Sequence, residues 1–193
     1  MACQRNFIFR QKDLAPRAAC AALAAYWLRL MREGDAVHVR ERKLRDHARL
    51  SATTKQNQYE RACYSTTSLD QGALRTAYAP LASTGMQVRA PVKHNAFDDQ
   101  AMANLVRYIT KNHGSGVLFT FSYKTQFLNQ THTVGFFKDG RTTYLFDADR
   151  GEFPSQSVAE LVVQEIFAMY QKARSANFGN CHYIHYRSPH PTK

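Results

Sequence analysis

A run of alanine and leucine around the chain's single tryptophan leaves the N-terminal part little choice but a buried helix. It runs from Asp13 to Gly34 and reads D-L-A-P-R-A-A-C-A-A-L-A-A-Y-W-L-R-L-M-R-E-G. Pro16 suits a first helical turn, which needs no N–H donor there, and Gly34 suits the C-terminal stop. Between them stand strong helix formers. Cys20, Leu23, Trp27 and Leu30 recur at the spacing of one buried face, and Met31 widens it. Cys20 is thus expected about one turn into the helix. There the unpaired N–H groups and the helix dipole favour a thiolate.

The rest of the chain reads as helices first and strands later. Arg40 to Arg49 is a charged, solvated helical stretch with only Leu44 and Ala48 to bury. Residues 51–67 are polar and show no convincing period around Cys63. Leu69 to Leu81 reads as a helix, Met86 to Ala90 as a short strand and Pro91 to Asn95 as a loop. Asp98 or Asp99 caps a helix whose face is Met102, Leu105, Val106 and Ile109, stopped by Gly114. Strands follow at Val117–Tyr123, Thr131–Lys138 and Arg141–Asp147, with Asp139-Gly140 as a hairpin turn. Pro154 to Ser157 is a loop. Ser157 and Glu160 form a capping box before a helix with Leu161, Val162, Ile166, Phe167 and Tyr170 inside. Cys181 to Arg187 is a last strand. Helices followed by an antiparallel sheet make an α+β fold, expected as one domain over residues 1–193.

With Asp139-Gly140 as a two-residue turn, Val134 faces Leu145 and His132 faces Asp147. Facing residues project from the same side with Cβ atoms roughly 4.5–5.5 Å apart. A carboxylate there fixes the imidazole tautomer and favours its protonated form. Such a pair is often only structural. Added to a helix-start cysteine, it completes the set that thiol catalysis requires: a nucleophile, a proton shuttle and an orienting acid.

These two blocks resemble the YopT/AvrPphB-type effector cysteine peptidases of bacteria. That family's cysteine block is roughly G-x-C-x-A-L-S-x-x-W. Here it stands as Ala18-Ala19-Cys20-Ala21-Ala22-Leu23-Ala24-Ala25-Tyr26-Trp27, matching at Cys20, Leu23 and Trp27, with Ala18 and Ala24 at the Gly and Ser positions. Its second block is a histidine strand, a hairpin, then Phe-Asp-x-x-x-Gly-Glu-Phe. Here it is H-T-V-G-F-F-K-D-G-R-T-T-Y-L-F-D-A-D-R-G-E-F from His132 to Phe153, with Asp149 where Asn is often found. The resemblance implies a papain-like fold with Cys20 as nucleophile, His132 as general base and Asp147 as orienting residue. It implies an oxyanion hole from the Cys20 backbone N–H and an upstream amide, for which Gln11 is nearest. It also implies a secreted bacterial effector that cleaves a protein in a host or target-cell cytoplasm, with no cofactor. Glutamine deamidation is a rival on the same triad, because it forms the same thioester.

Composition bears on the remaining classes. The 193 residues can form a substantial core, and 44% hydrophobic with 21% charged residues is an ordinary globular balance. The formal net charge of +11 predicts a salt-sensitive attraction to anionic surfaces, without specific nucleic-acid binding. A basic, non-enzymatic module is the other rival. Cys3, Cys20, Cys63 and Cys181 are scattered, so free thiols are expected rather than a disulfide scaffold. No run is long and apolar enough for a secretory signal or a transmembrane span. Cys181, His182 and His185 could suggest zinc, but positions 182 and 185 fall on opposite faces of a strand, and no metal is expected. The alternating Phe119, Phe121 and Tyr123 suit a core face better than an RNA-stacking sheet.

Overall fold

In the computed structural model of the chain, the structure describes residues 4–15, 17–64, 78–81, 87–88, 92–111, 116–125, 129–170 and 177–187. Three helices open it: α1 (Cys20–Arg32), α2 (Val37–Leu50) and α3 (Ala52–Tyr64). The later elements are β1 (Gln87–Val88), β2 (Val92–His94), α4 (Asp99–Lys111), β3 (Gly116–Lys124), β4 (Asn129–Asp139), β5 (Thr142–Asp147) and β6 (Gly151–Ser155). A short helix, α5 (Val158–Glu160), continues as a π-helical stretch over Leu161–Ala168, and β7 (Asn177–Arg187) closes the sheet. The sheet is antiparallel in the order β1-β7-β3-β4-β5-β6, with β2 also on β7.

Period-two alternation gives each face of the sheet its own core. Leu118, Phe137, Phe146 and Ile184 pack against α1 and its neighbours, with Trp27 fully buried among them. Phe119, Phe121, Val134, Phe136 and Leu145 pack against α4 and the π-helical stretch. Gly135 lets α1 lie close. A Cβ there would meet Trp27 Cε3 at 2.9 Å, and Trp27 stacks on Phe146 at 5.6 Å. The N-terminal segment adds a bridge from Phe7 to Glu152. It fits because Gly151 has φ +119 and no Cβ, which would fall 2.0 Å from Phe7 O.

Several sequence expectations change. Helix α1 begins at Cys20 rather than near Pro16, so Cys20 is its first residue. The polar stretch 51–67 holds helix α3. Its inner face is Ala52, Gln56, Tyr59 and half-buried Cys63, spaced four, three and four, but a glutamine in that stripe hides the apolar period. Arg40 is buried and does not belong to a solvated run. Val92–His94 is a strand where a loop was expected, because β7 offers it an edge. Strand β6 extends to Ser155, so the expected loop at Pro154–Ser157 is shorter. Pro154 is tolerated there because β6 ends the strand order.

The hairpin turn is Gly140-Arg141, with Asp139 paired to Thr142. The first central residue of a tight hairpin turn has positive φ, and Gly140 supplies it at +55°. The expected register therefore slips by two: Val134, not His132, faces Asp147. An even slip preserves faces, so His132 and Asp147 still project from the same side. Asp98 is the cap of α4, accepting from Ala101 N at 2.8 Å. Ser157 Oγ accepts from Glu160 N at 3.2 Å, while the Glu160 carboxylate reaches Ser155 Oγ at 2.7 Å instead of closing the box. The expected helix at Leu69–Leu81 lies outside the described residues apart from 78–81, where Ala79–Leu81 forms a 3-10 turn. Pro16 and Gly114 are outside them too.

Candidate active site

The start of α1 is held by side chains from two other segments. Gln11 Oε1 accepts from Ala19 N at 2.7 Å, and Gln56 Oε1 accepts from Ala22 N at 3.1 Å. The Cys20 N–H, at the first helical position, has no intrahelical acceptor. Cys20 is buried, 7% exposed, and lines two adjoining pockets, of about 500 and about 390 Å³.

His132 comes from the N-terminal part of β4 and Asp147 from the end of β5. The two are diagonal across the hairpin, and His132 Nε2 meets Asp147 Oδ1 at 2.9 Å. That leaves Nδ1 as the ring nitrogen available to Cys20, which lines the same pocket. Burial would push the His132 imidazole down. The Asp147 charge and hydrogen bond, with a further contribution from Cys20, outweigh it and hold the imidazole well above its ordinary value of 6.5. Burial would likewise raise the Asp147 carboxyl. The charge and hydrogen bond of His132, the Asp149 amide and the charge of Arg150 hold it below 3.8.

Asp147 is fixed by three donors. Oδ1 also accepts from Asp149 N at 2.9 Å, and Oδ2 accepts from Tyr170 O–H at 3.0 Å. Tyr170 further packs its ring 5.3 Å from His132, and Phe121 meets the imidazole edge at 5.8 Å. These rings exclude water from the pair. Gln11 joins the site from the N-terminal segment. Its backbone N–H bonds Ala148 O at 2.8 Å, and its Nε2 donates to Asp149 Oδ1 at 2.9 Å. One Nε2 hydrogen is left over, in the pocket that also holds Cys20 and His132.

The structure thus brings Cys20, His132, Asp147 and Gln11 together. Sequence reasoning placed Tyr170 only as a core residue and missed Gln56. The signal for Gln56 was its place in the Ala52–Tyr59 stripe. No local signal pointed to Tyr170, which reaches Asp147 across 23 residues of chain. Among the described residues, His132, Asp147 and Asp149 are the one group that could approach a metal ion together. Their facing atoms are taken: Nε2 and Oδ1 bond each other, and Asp149 Oδ1 accepts from Gln11.

The other thiols sit in different settings. Cys181 donates to Ala96 O at 3.8 Å, and burial pushes its thiol up to about 12. Burial also raises Cys63. His182 pairs with Tyr78 O–H at 2.8 Å and is pushed down to about 4 by burial. His185, three residues on, lies on the other face against Tyr108.

Glu152, in the second sequence block, is fully buried. It receives Trp27 Nε1 at 2.7 Å, Arg40 Nε at 3.0 Å, Arg40 NH2 at 2.5 Å and Asn6 Nδ2 at 2.6 Å. One carboxylate therefore joins α1, α2, β6 and the N-terminal segment behind the cleft.

No curated protein matches the chain. Among solved structures it is similar to the Pseudomonas avirulence protein AvrPphB, with a TM-score of 0.63 and 19% identity over 92% of this chain and 99% of that one. At that identity the likeness establishes the fold, which is the papain-like α+β arrangement. A family model described as Yersinia/Haemophilus virulence surface antigen, a peptidase family, matches residues 3–181. With nearly the whole chain matched, this protein belongs to that family of cysteine peptidases, the YopT/AvrPphB type.

Proposed function

We propose that the chain is a single catalytic domain that cleaves a peptide bond in a target-cell protein through Cys20, His132 and Asp147. The observation that carries the reading is the imidazole bonded at 2.9 Å to Oδ1 of a three-fold-bonded Asp147, in a pocket that Cys20 also lines. A cationic imidazole beside the sulfur favours the thiolate–imidazolium pair.

The Cys20 thiolate attacks the substrate carbonyl carbon, and the carbonyl electrons move to oxygen. The Cys20 N–H and the spare Gln11 Nε2–H are the donors available to that oxyanion. As it collapses, the C–N bond breaks and His132 gives its proton to the departing amine, leaving a thioester. His132 then takes a proton from water, the hydroxide attacks the thioester, and the thiolate and imidazolium are restored. Asp147 keeps the ring in the tautomer that presents Nδ1 to sulfur.

The family points to a bacterial virulence effector, and secretion with action inside a host or target cell is part of the proposal. Growth arrest on expression provides a first assay. Cys20→Ala should abolish it, His132→Ala nearly so, and Asp147→Asn should leave a remnant. Cys63→Ser, Cys181→Ser and His185→Ala should behave as wild type. The mass of an affected protein then separates the reactions: two fragments mean hydrolysis of the chain, and a small mass gain without a break means deamidation. Full potency in Cys20→Ala would refute the assignment.

A further inference from the structure

Strand β5 ends at Asp147 and β6 begins at Gly151, so Ala148, Asp149 and Arg150 make a tight turn. Arg150 N–H closes it on Asp147 O at 3.0 Å. Asp149 thus sits two residues from the acid of the site, and its main chain and side chain face different partners. Its backbone N–H supports Asp147 Oδ1 at 2.9 Å. Its carboxylate faces the N-terminal segment, which runs beside the turn with Gln11 N–H on Ala148 O at 2.8 Å. There Asp149 Oδ1 accepts from Gln11 Nε2 at 2.9 Å.

Gln11 is 6% exposed, and its side-chain amide is held at both ends. Oε1 accepts from Ala19 N at 2.7 Å, one residue before the cysteine, and Nε2 donates to Asp149. A backbone N–H only donates and a carboxylate only accepts, so these partners leave the amide one orientation. A bond at Oε1 alone would let the amide swing about that contact. The second bond, at Nε2, fixes its plane. The two hydrogens of a planar amide lie at a fixed angle, so holding one on Asp149 aims the other. That other hydrogen lies in the pocket that Cys20 and His132 also line. A donor stabilises an oxyanion most when it is already aimed before the charge develops.

We infer that Asp149 is a positioning residue for the oxyanion: its carboxylate sets the direction of the Gln11 N–H donor, while its main chain holds the orienting acid. One short turn thereby ties the proton-shuttle side of the site to the oxyanion side. The inference rests on the thiol-peptidase reading, in which Gln11 donates to the oxyanion. Asp149 touches no reacting atom.

The test compares two reagents on Cys20, with Cys20→Ala as the blank. The thiolate attacks the carbonyl of p-nitrophenyl acetate, passes through a tetrahedral oxyanion and expels p-nitrophenolate. It displaces iodide from iodoacetamide and forms no oxyanion. Asp149→Asn and Asp149→Ala remove the same charge at a half-buried position and keep the backbone N–H. Only Asn keeps an oxygen acceptor, so the difference between the two isolates it. Asp149→Ala should be acylated about tenfold more slowly than Asp149→Asn, the scale of one hydrogen bond. Iodoacetamide should alkylate the two variants equally. In a Gln11→Ala background the two should also be acylated equally, because the amide they orient is gone. Equal acylation of the two in the presence of Gln11, a difference that persists in Gln11→Ala, or the same slowing of alkylation overturns the positioning role and leaves the thiol reading standing. Iodoacetamide labelling of wild-type Cys20 no faster than Cys63 removes the thiol reading, and the positioning role with it.

Discussion

Three donors converge on Asp147, and the pair it forms with His132 makes stability depend on pH. His132 is raised, so its contribution is complete below the unfolded imidazole value of about 6.5 and is lost as pH climbs through the higher folded value. Asp147 is lowered, so its contribution is complete above the unfolded carboxyl value of about 3.9 and is lost as pH falls through the lower folded value. Both are full between roughly pH 4 and 6.5. The deficit in melting temperature of Asp147→Asn should be greatest in that window and should shrink on the alkaline side. Melts across pH would show it, and a deficit independent of pH would contradict the ion pair. Tyr170→Phe leaves Asp147 Oδ2 buried without its donor and should cost about 1–3 kcal/mol in denaturant titration. It should slow Cys20 alkylation, though less than Asp147→Asn does. The grouping of Cys20, His132 and Asp147 was legible because they sit in two compact sequence blocks. Tyr170 was not, because a tyrosine on an apolar helix stripe reads as core until its hydroxyl finds a partner.

At the scale of elements, the contact of α1 with the sheet depends on one glycine and one carboxylate. Gly135→Ala drives a methyl group into Trp27 and should cost about 1–3 kcal/mol, as overpacking does. Glu152→Ala leaves Arg40 buried without its counter-charge and should cost about 3–5 kcal/mol. Both are read by equilibrium unfolding. A Glu152→Ala loss below that of an exposed pair such as Arg45–Glu41 would show that the buried carboxylate does not hold these elements together. The sequence block around Phe153 marked Glu152 but not its purpose, since Arg40 sits in a charge run that looks solvated. Local pattern was reliable where one period dominates, as in α1, α4 and β3. It failed in α3, whose inward stripe carries a glutamine, and at β2, whose strand conformation depends on an edge supplied by β7 much later in the chain, in the pairing of His94 with Cys181. The hairpin turn was placed one residue early, and its register two residues off, because Asp-Gly is a common turn pair, whereas Gly140 is needed here at the first turn position.

Over the whole molecule, the order of helices and strands was enough to read an α+β chain, and two short blocks were enough to suggest its papain-like form. The meeting of α1 with the β4–β5 hairpin could not be read from either block alone. It depends on the packing of Trp27 and on the supports from Gln11 and Gln56. The net charge of +11 gives a property of the entire surface. Binding to acidic vesicles should be measurable at low salt and fade near 0.15 M, where screening acts over about 8 Å. Binding that persists at high salt would indicate a specific site instead.

The central claim is that His132 activates Cys20, and the rate of Cys20 alkylation by iodoacetamide at neutral pH tests it most directly. Mass spectrometry of peptides from native protein should find Cys20 modified well before Cys63 and Cys181, and His132→Ala should abolish that lead. Cys20 modified no faster than the other two, or an equal lead in His132→Ala, would contradict the account.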